Sequence, residues 1–460
     1  MSVTDATTTL AEHAIGLDAV TLPAGVVDQA RRVVADTIGV LLSASRRKAV
    51  PTALAALPPS SGPCTVVGHH GGVSAIDAAF VNGIGGHDIE LDDSHSPSRT
   101  HPAATVIPAA LAAAEDSPTA TYGDLLAGVI AGYDVQSRIS RAMGRNAQYD
   151  RGFHPSAVCG VFGAAAAAGR ILDLDIDQMR CCLGLAASQS SGLLTYADDP
   201  FHMAKSFQTG VAARNGVTAA RFAAVGYRAA PDVLTGKRNA LGPFGGDAVD
   251  SDALTAQLGS EYAITTTSLK RHACCGLTHS SVDAMLLLLE HPQVRVDSID
   301  HIRVELPHKA VPRIDGNVLW SHNVQYVVAL AAHEGRVTLE HFTEAWTTNP
   351  DVQRLAARVT VAANAELDAA FPEHKGAIVT VSTPTGEYVQ KVDAPRGSPG
   401  HPLTEGELHH KFRHLAAAVL DDETSEALWI SMINGALAAP WSRSAAKLIG
   451  DPESRHLATV

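Results

Sequence analysis

Gly86-His-Asp-Ile-Glu-Leu-Asp-Asp-Ser-His-Ser-Pro-Ser-Arg-Thr-His-Pro102 carries four acids, three histidines and an arginine between two apolar, alanine-rich runs. A packed helical core has no use for so many ionisable groups in one bend, because each is costly to bury without a partner. The stretch is therefore either an exposed loop or a site. The chain around it is to be read as mainly helical, with the polar bend set between apolar helices.

Length and composition narrow the class. With 460 residues, 46% of them hydrophobic, the chain can bury a large core, and the length prior is about two to three domains. A net charge of −13 argues against non-specific binding to nucleic acid or to an anionic membrane surface. No charge-free apolar run reaches the ~18 residues that a membrane span needs. The opening Met1-Ser-Val-Thr-Asp-Ala lacks the basic and apolar regions of a signal peptide, so the expectation is a soluble, cytoplasmic protein. Cysteines at 64, 159, 181, 182, 274 and 275 fall in none of the usual metal or redox spacings. The adjacent pairs cannot form ordinary bridges within themselves, and reduced thiols are the default. No iron–sulfur cluster is expected from this pattern.

Helical signals dominate to about residue 260: Val26 to Leu42, Ala103 to Glu115, Tyr122 to Met143, Ser156 to Leu172, Ile176 to Leu193 and Thr209 to Val225. Several are apolar nearly all round and should be buried by other helices. Asp300 to Leu306, Arg358 to Ala362, Ala377 to Ser382 and Glu387 to Val392 instead alternate like half-buried strands, with Thr383-Pro-Thr-Gly386 as a hairpin turn. After the Pro- and Gly-rich Ala394 to Pro402, helical patterns return from Thr404 to the end. The economical reading is mainly α with an inserted α+β domain. A helical domain of residues 1–265 and 396–460 is interrupted by a smaller one of residues 266–395.

Candidate residues gather at segment junctions. His101-Pro102 and His154-Pro155 each precede a helix, Lys205 precedes the helix expected near Thr209, and Lys270 to His279 lies at the domain boundary. Helix N-termini present free N–H groups, which favours a carboxylate-bearing ligand.

Taken in order, Gly86 to Pro102 followed by Ala103 to Glu115, then Arg151-Gly-Phe-His-Pro-Ser156, Ala204-Lys-Ser-Phe-Gln-Thr-Gly210, Lys270 to His279 and His401-Pro-Leu-Thr404 resemble the MmgE/PrpD family. That family includes 2-methylcitrate dehydratases, cis-aconitate decarboxylases and iminodisuccinate epimerases. The resemblance implies chemistry without a metal or organic cofactor, a helical domain from both termini with an inserted lid domain, and a homodimer. It assigns catalytic roles to His101, Asp93, Lys205, His154 and Lys270. Asp92, Ser94, Arg271, Cys275 and His279 are expected around the substrate. Two departures stand out: Glu90 where relatives carry Asp, and Cys275 where the decarboxylases carry histidine. The second weakens a decarboxylase assignment, since cysteine is a poor substitute for a cationic proton donor.

The residue types suit one chemistry in their own right. Removing a proton α to a carboxylate builds an enediolate-like dianion, which needs a near-neutral base and fixed cations beside the carboxylates. His101 suits the base, and Lys205, Lys270 and Arg271 suit the cations. The leading expectation is a hydratase or dehydratase-type lyase acting on a small di- or tricarboxylate. The alternative is an epimerase of an amino- or imino-polycarboxylate, with a cis-aconitate-type decarboxylase behind it. A metal centre of Asp92, Asp93, His95 and His101 is the competing chemistry. The blander readings are that His101 and His154 merely open helices, that His87 and His95 orient neighbours or lie at the surface, and that Cys274 and Cys275 are small buried apolar residues. On that last reading Cys275→Ser is tolerated.

Overall fold

The computed structural model describes residues 5–144, 146–199, 203–372 and 374–441. The helical pattern expected after residue 441 lies outside the described residues. The chain is mostly helical with a small mixed sheet. It forms two compact units: the first comprises the chain up to Asp88, Asp92–Thr267 and the part from Thr404 onward, and the second comprises Ile89–Leu91 with Ser268–Leu403.

In the first unit, alanine-rich helices bury one another. Ala75–Asp88, Ala103–Asp116, Tyr122–Ala142, Gly160–Ile171 and Met203–Ala224 form its centre, and their small side chains let backbones approach closely. Starts are fixed locally. Thr121 and Asp124 make a reciprocal capping box ahead of Tyr122–Ala142, as Asp175 and Gln178 do ahead of Ile176–Ala187.

Four differences from the expected helices matter for the site. Ala75–Asp88 runs into the charged stretch, so His87 belongs to its last turn rather than to the bend. The helix expected from Thr209 already begins at Met203, which puts Lys205 inside its first turn. The run expected over Ile176 to Leu193 stops at Ala187, because Ser188-Gln-Ser-Ser-Gly192 offers side chains and a glycine that favour turns. The Ser156 to Leu172 pattern divides into Pro155–Val158 and Gly160–Ile171.

The second unit holds a four-stranded mixed sheet in the order Val359–Ala363, His301–Leu306, Ala377–Thr383, Gly386–Val392. The first pair is parallel, with Ile302 opposite Val359, and the other two are antiparallel, with Val304 opposite Val379 and Val379 opposite Gln390. Thr383 pairs with Gly386 around the expected two-residue turn. Alternate residues Ile302, Val304, Leu306, Ala377, Val379 and Val381 are buried with the apolar faces of helices His279–Leu289 and Val324–Glu334.

One close approach positions the chemistry of the first unit. A Cβ at Gly83 would meet the Gly210 Cα at 2.8 Å, and one at Gly210 would meet the Phe80 carbonyl oxygen at 2.6 Å. The Thr209 hydroxyl donates to the Gly83 carbonyl at 2.9 Å across the same contact. The helices Ala75–Asp88 and Met203–Ala224 thus touch backbone to backbone. His87 lies one turn after Gly83 and Lys205 about one turn before Gly210, so the contact carries both toward one place. We expect Gly83→Ala to cost about 1–3 kcal/mol through overpacking. Thermal unfolding of the variant checks this, and an unchanged midpoint would show that the two helices slide apart freely.

Candidate active site

The charged stretch is buried. Glu90, Asp92, Asp93, Ser94 and His95 are each less than a tenth exposed, and His101 is half-buried. The exposed-loop alternative therefore falls, and each group must be satisfied internally.

Asp92 is the hub. Its Oδ2 lies 2.7 Å from His87 Nδ1 and 2.9 Å from His101 Nδ1. The His101 Nδ1 is also 2.6 Å from the Asp93 carbonyl oxygen, which can only accept. Nδ1 therefore carries a proton, and Nε2 is the ring nitrogen left to act as a base. Ser156 accepts the His101 backbone N–H at 3.1 Å, tying this residue to the Pro155–Val158 turn.

His87 and His154 complete a trio of imidazoles. The His87 ring lies 4.8 Å from that of His101 and stacks on that of His154 at 5.8 Å. Burial, reinforced by the charge of Lys205, pushes the His87 pKa down to about 3. Neutral His87 thus donates from Nδ1 to Asp92, and its buried Nε2 has no hydrogen-bond partner among the described residues. Burial likewise holds His154 well below the usual imidazole range, with His87 and Lys205 adding to the effect. Its Nδ1 donates to the Gln208 side-chain oxygen at 3.1 Å, and its ring lies 4.7 Å from that of Tyr196. Two imidazoles kept neutral by burial, His87 and His154, thus accompany the buried side chain of Lys205.

Asp93 does a different job from the one its position beside Asp92 suggests. Its Oδ2 accepts from the Tyr133 hydroxyl at 2.7 Å and its Oδ1 from the Ala103 N–H at 3.1 Å. Burial and the neighbouring Asp92 hold its carboxyl well above the ordinary range. Both oxygens are engaged in the scaffold, so Asp93 reaches the imidazoles through its carbonyl. His95 also turns to the scaffold, with Nδ1 2.7 Å from Ser98 Oγ and Nε2 3.0 Å from Thr266 Oγ1. The metal set imagined from sequence is thus not assembled. Among the described residues the one group of three with metal-ligand spacing is His87, Asp92 and His101, their atoms within 4.8 Å of one another. The Nδ1 atoms of both histidines face Asp92 or the Asp93 carbonyl as donors.

In the second unit, Lys270 and Glu90 form a buried ion pair at 3.1 Å. Glu90 reaches it from a left-handed backbone, φ 54°, which reverses the chain just after His87 and its helix. Arg271 is largely exposed, its guanidinium 3.8 Å from Asp283. Asp283 is held instead by His272 at 2.9 Å and by the Arg396 N–H at 2.7 Å. His279 is buried at the start of its helix, near the Cys274 carbonyl at 3.2 Å. Burial and the neighbouring His272 keep it well below the usual imidazole range. Cys275 is half-buried and meets His322, a residue the sequence reading did not single out. Tyr133 and Gln208 were missed too, although Tyr133 interrupts an apolar helix face with a hydroxyl that needs a partner.

Two imidazoles kept neutral by burial have a consequence for stability. Their folded-state pKa values lie below the ordinary 6.5, so the unfolded chain takes up protons there first. We expect stability to be unaffected by these groups above pH 6.5 and to fall steadily below it. Denaturant titrations of wild type and His87→Gln between pH 4 and 8 check this, the variant showing the shallower acid slope.

Comparison with known proteins agrees over most of the chain. Residues 8–248 match the MmgE/PrpD N-terminal domain and residues 272–434 the MmgE/PrpD C-terminal domain. A cis-aconitate decarboxylase of Aspergillus terreus is 29% identical over 432 residues, covering 87% of each chain. The cis-aconitate decarboxylases of Mus musculus and Homo sapiens are 26% and 27% identical, each covering 76% of this chain and 74% of their own. These similar proteins are enzymes, and with both domains matched the chain belongs to the MmgE/PrpD family.

Proposed function

We propose that this protein is a lyase acting on a small di- or tricarboxylate by removing a proton α to a carboxylate, as a hydratase or dehydratase does. The observation that carries the reading is the His101 imidazole, whose Nδ1–H is fixed on the Asp93 carbonyl and Asp92 so that Nε2 is left as the base. A fixed tautomer spares the reorganisation that a freely turning imidazole would need.

The remaining roles follow from charge. Lys205 offsets the negative charge that builds on the substrate carboxylate as its α carbon loses a proton. His154 and His87, kept neutral beside it, can hydrogen-bond the substrate without adding charge. Asp92 holds the two Nδ1 protons, and Asp93 holds the start of the helix behind His101. Lys270, by the resemblance, is a second cation for a carboxylate, with Arg271, Ser94 and His279 among the binding residues. The same reading takes the first unit as the helical domain, the second as the α+β domain, and the active form as a homodimer.

A second reading is decarboxylation of cis-aconitate. The relatives favour it by name, and so does one feature of this chain: the His322 imidazole acts electrostatically on the thiol at the position where the decarboxylases carry histidine. This reverses the force of the sequence argument that Cys275 lacks a proton donor.

Proton NMR of the purified protein in deuterium oxide with citrate, 2-methylcitrate, cis-aconitate and aspartate-derived polycarboxylates separates these outcomes. New or lost vinyl signals without loss of carbon establish hydration or dehydration. A terminal methylene with release of carbon dioxide establishes the decarboxylase. Deuterium uptake with inversion and no elimination would make the protein an epimerase and sink the proposal.

We expect His101→Gln to lower kcat by about 10²–10⁴-fold with the far-ultraviolet circular dichroism unchanged. Lys205→Ala should abolish measurable turnover in the same way. Near-normal rates in either folded variant would remove that residue from the mechanism.

A further inference from the structure

The segment Ala204-Lys-Ser-Phe-Gln-Thr-Gly210 brings more to the first unit than an ammonium. Gln208 follows Lys205 by three residues on the helix Met203–Ala224, about one turn along, so the two side chains are neighbours on its surface. The Gln208 side-chain oxygen is 3.1 Å from His154 Nδ1, and its Nε2 donates to the Leu193 carbonyl at 3.0 Å. A carbonyl oxygen can only accept, so the amide has to turn its nitrogen to Leu193 and its oxygen to His154. The amide oxygen can only accept in its turn, so Nδ1 of His154 carries a proton. A main-chain carbonyl thus dictates the tautomer of His154 through one side chain.

That carbonyl is itself firmly held. Phe153 and Leu193 pair as an antiparallel bridge, the His154 N–H donates to the Gly192 carbonyl at 3.1 Å, and the Leu194 N–H donates to the Gly152 carbonyl at 2.8 Å. The Ser190 hydroxyl donates to the Val158 carbonyl at 2.7 Å beside them. Gly192 makes the close approach feasible: a Cβ there would lie 2.7 Å from the Ala157 Cβ and 3.2 Å from the Gln208 side-chain oxygen. One segment therefore holds His154 twice, its backbone through Gly192 and its ring through Leu193 and Gln208. Burial keeps that ring neutral. A neutral imidazole with its proton on Nδ1 offers an acceptor, and only an acceptor, at Nε2. The ring of His87, stacked on it at 5.8 Å, offers a second, a buried Nε2 with no hydrogen-bond partner among the described residues.

We propose that Gln208 is a positioning residue that fixes His154 as its Nδ1–H tautomer, and that the Nε2 left as an acceptor takes a hydrogen bond from a substrate hydroxyl. A carboxylate has no proton to give, so acceptor nitrogens select the part of a ligand that donates. The substrate class is then a hydroxy-polycarboxylate, its carboxylate answered by Lys205 and its hydroxyl by His154. This substrate half rests on the lyase reading above, in the dehydratase direction, whereas the tautomer rests on the amide geometry alone.

The test uses the full chain. Nitrogen NMR of histidine-labelled protein at about pH 8, where an ordinary imidazole is neutral, reads which ring nitrogen bears the proton. The His154 signals are identified by their loss in His154→Gln. The proton is expected on Nδ1 in wild type and in Gln208→Glu, which keeps an accepting oxygen, and is expected to shift toward Nε2 in Gln208→Leu. A wild-type proton on Nε2, or one that stays on Nδ1 in Gln208→Leu, overturns the positioning role. Rates with citrate, 2-methylcitrate and cis-aconitate are then compared. For the hydroxy acid that wild type dehydrates, we expect kcat/KM to fall about 10-fold in Gln208→Leu, with most of the loss recovered in Gln208→Glu. Equal values in wild type and Gln208→Leu overturn the contact with the hydroxyl and leave the dehydratase reading standing. Loss of carbon dioxide from cis-aconitate with no turnover of either hydroxy acid refutes the dehydratase reading and the hydroxyl contact together, and the spectra still decide the tautomer.

Discussion

A carboxylate removed from water must collect donors or lose its charge, and the first unit is organised around how Asp92 meets that demand. Two imidazole Nδ1 groups converge on its Oδ2, one from the end of the Ala75–Asp88 helix and one from the entrance to Ala103–Asp116. Each histidine is thereby oriented, and each is given the same tautomer. The stretch between these helices is short because it has to return the chain from one donor to the other. Its remaining polar groups, Asp93, His95, Ser98 and Thr100, are spent on one another and on Tyr133 and Thr266.

Apolar surroundings do the rest. Neutral imidazoles would be unremarkable in water at pH 8, but His87 and His154 stay neutral far into acid because burial withholds water from them and because Lys205 already holds a positive charge nearby. The arrangement separates roles that ordinary pKa values would blur. On the proposed reading the ammonium answers to anionic substrate, and His101 is left to handle the proton.

The helices were legible from their alanine-rich periodicity, and the strands from their alternation, because both patterns are local. Element ends were less so. His87 lies in the last turn of Ala75–Asp88, a helix absent from the expected set, and Lys205 inside a helix expected to begin only near Thr209. Density of ionisable residues marked the charged stretch as chemically important. It did not separate Asp92 from Asp93, because adjacent residues of one type differ only in what the fold sets opposite them. Nor could it join Cys275 to His322, which are far apart along the chain and belong to no spacing motif. The buried partners Tyr133 and Gln208 left a fainter trace, polar groups on otherwise apolar helices.

The backbone contact at Gly83 and Gly210 bears on how the first unit responds when a proton moves. Most side-chain environments adjust to a new charge by turning a rotamer or admitting water, and that adjustment adds to the barrier. The backbones that carry His87 and Lys205 are held instead by two main chains in contact, which have no rotamer to change. The frame under those groups is therefore stiff, and the cost of arranging it was met during folding.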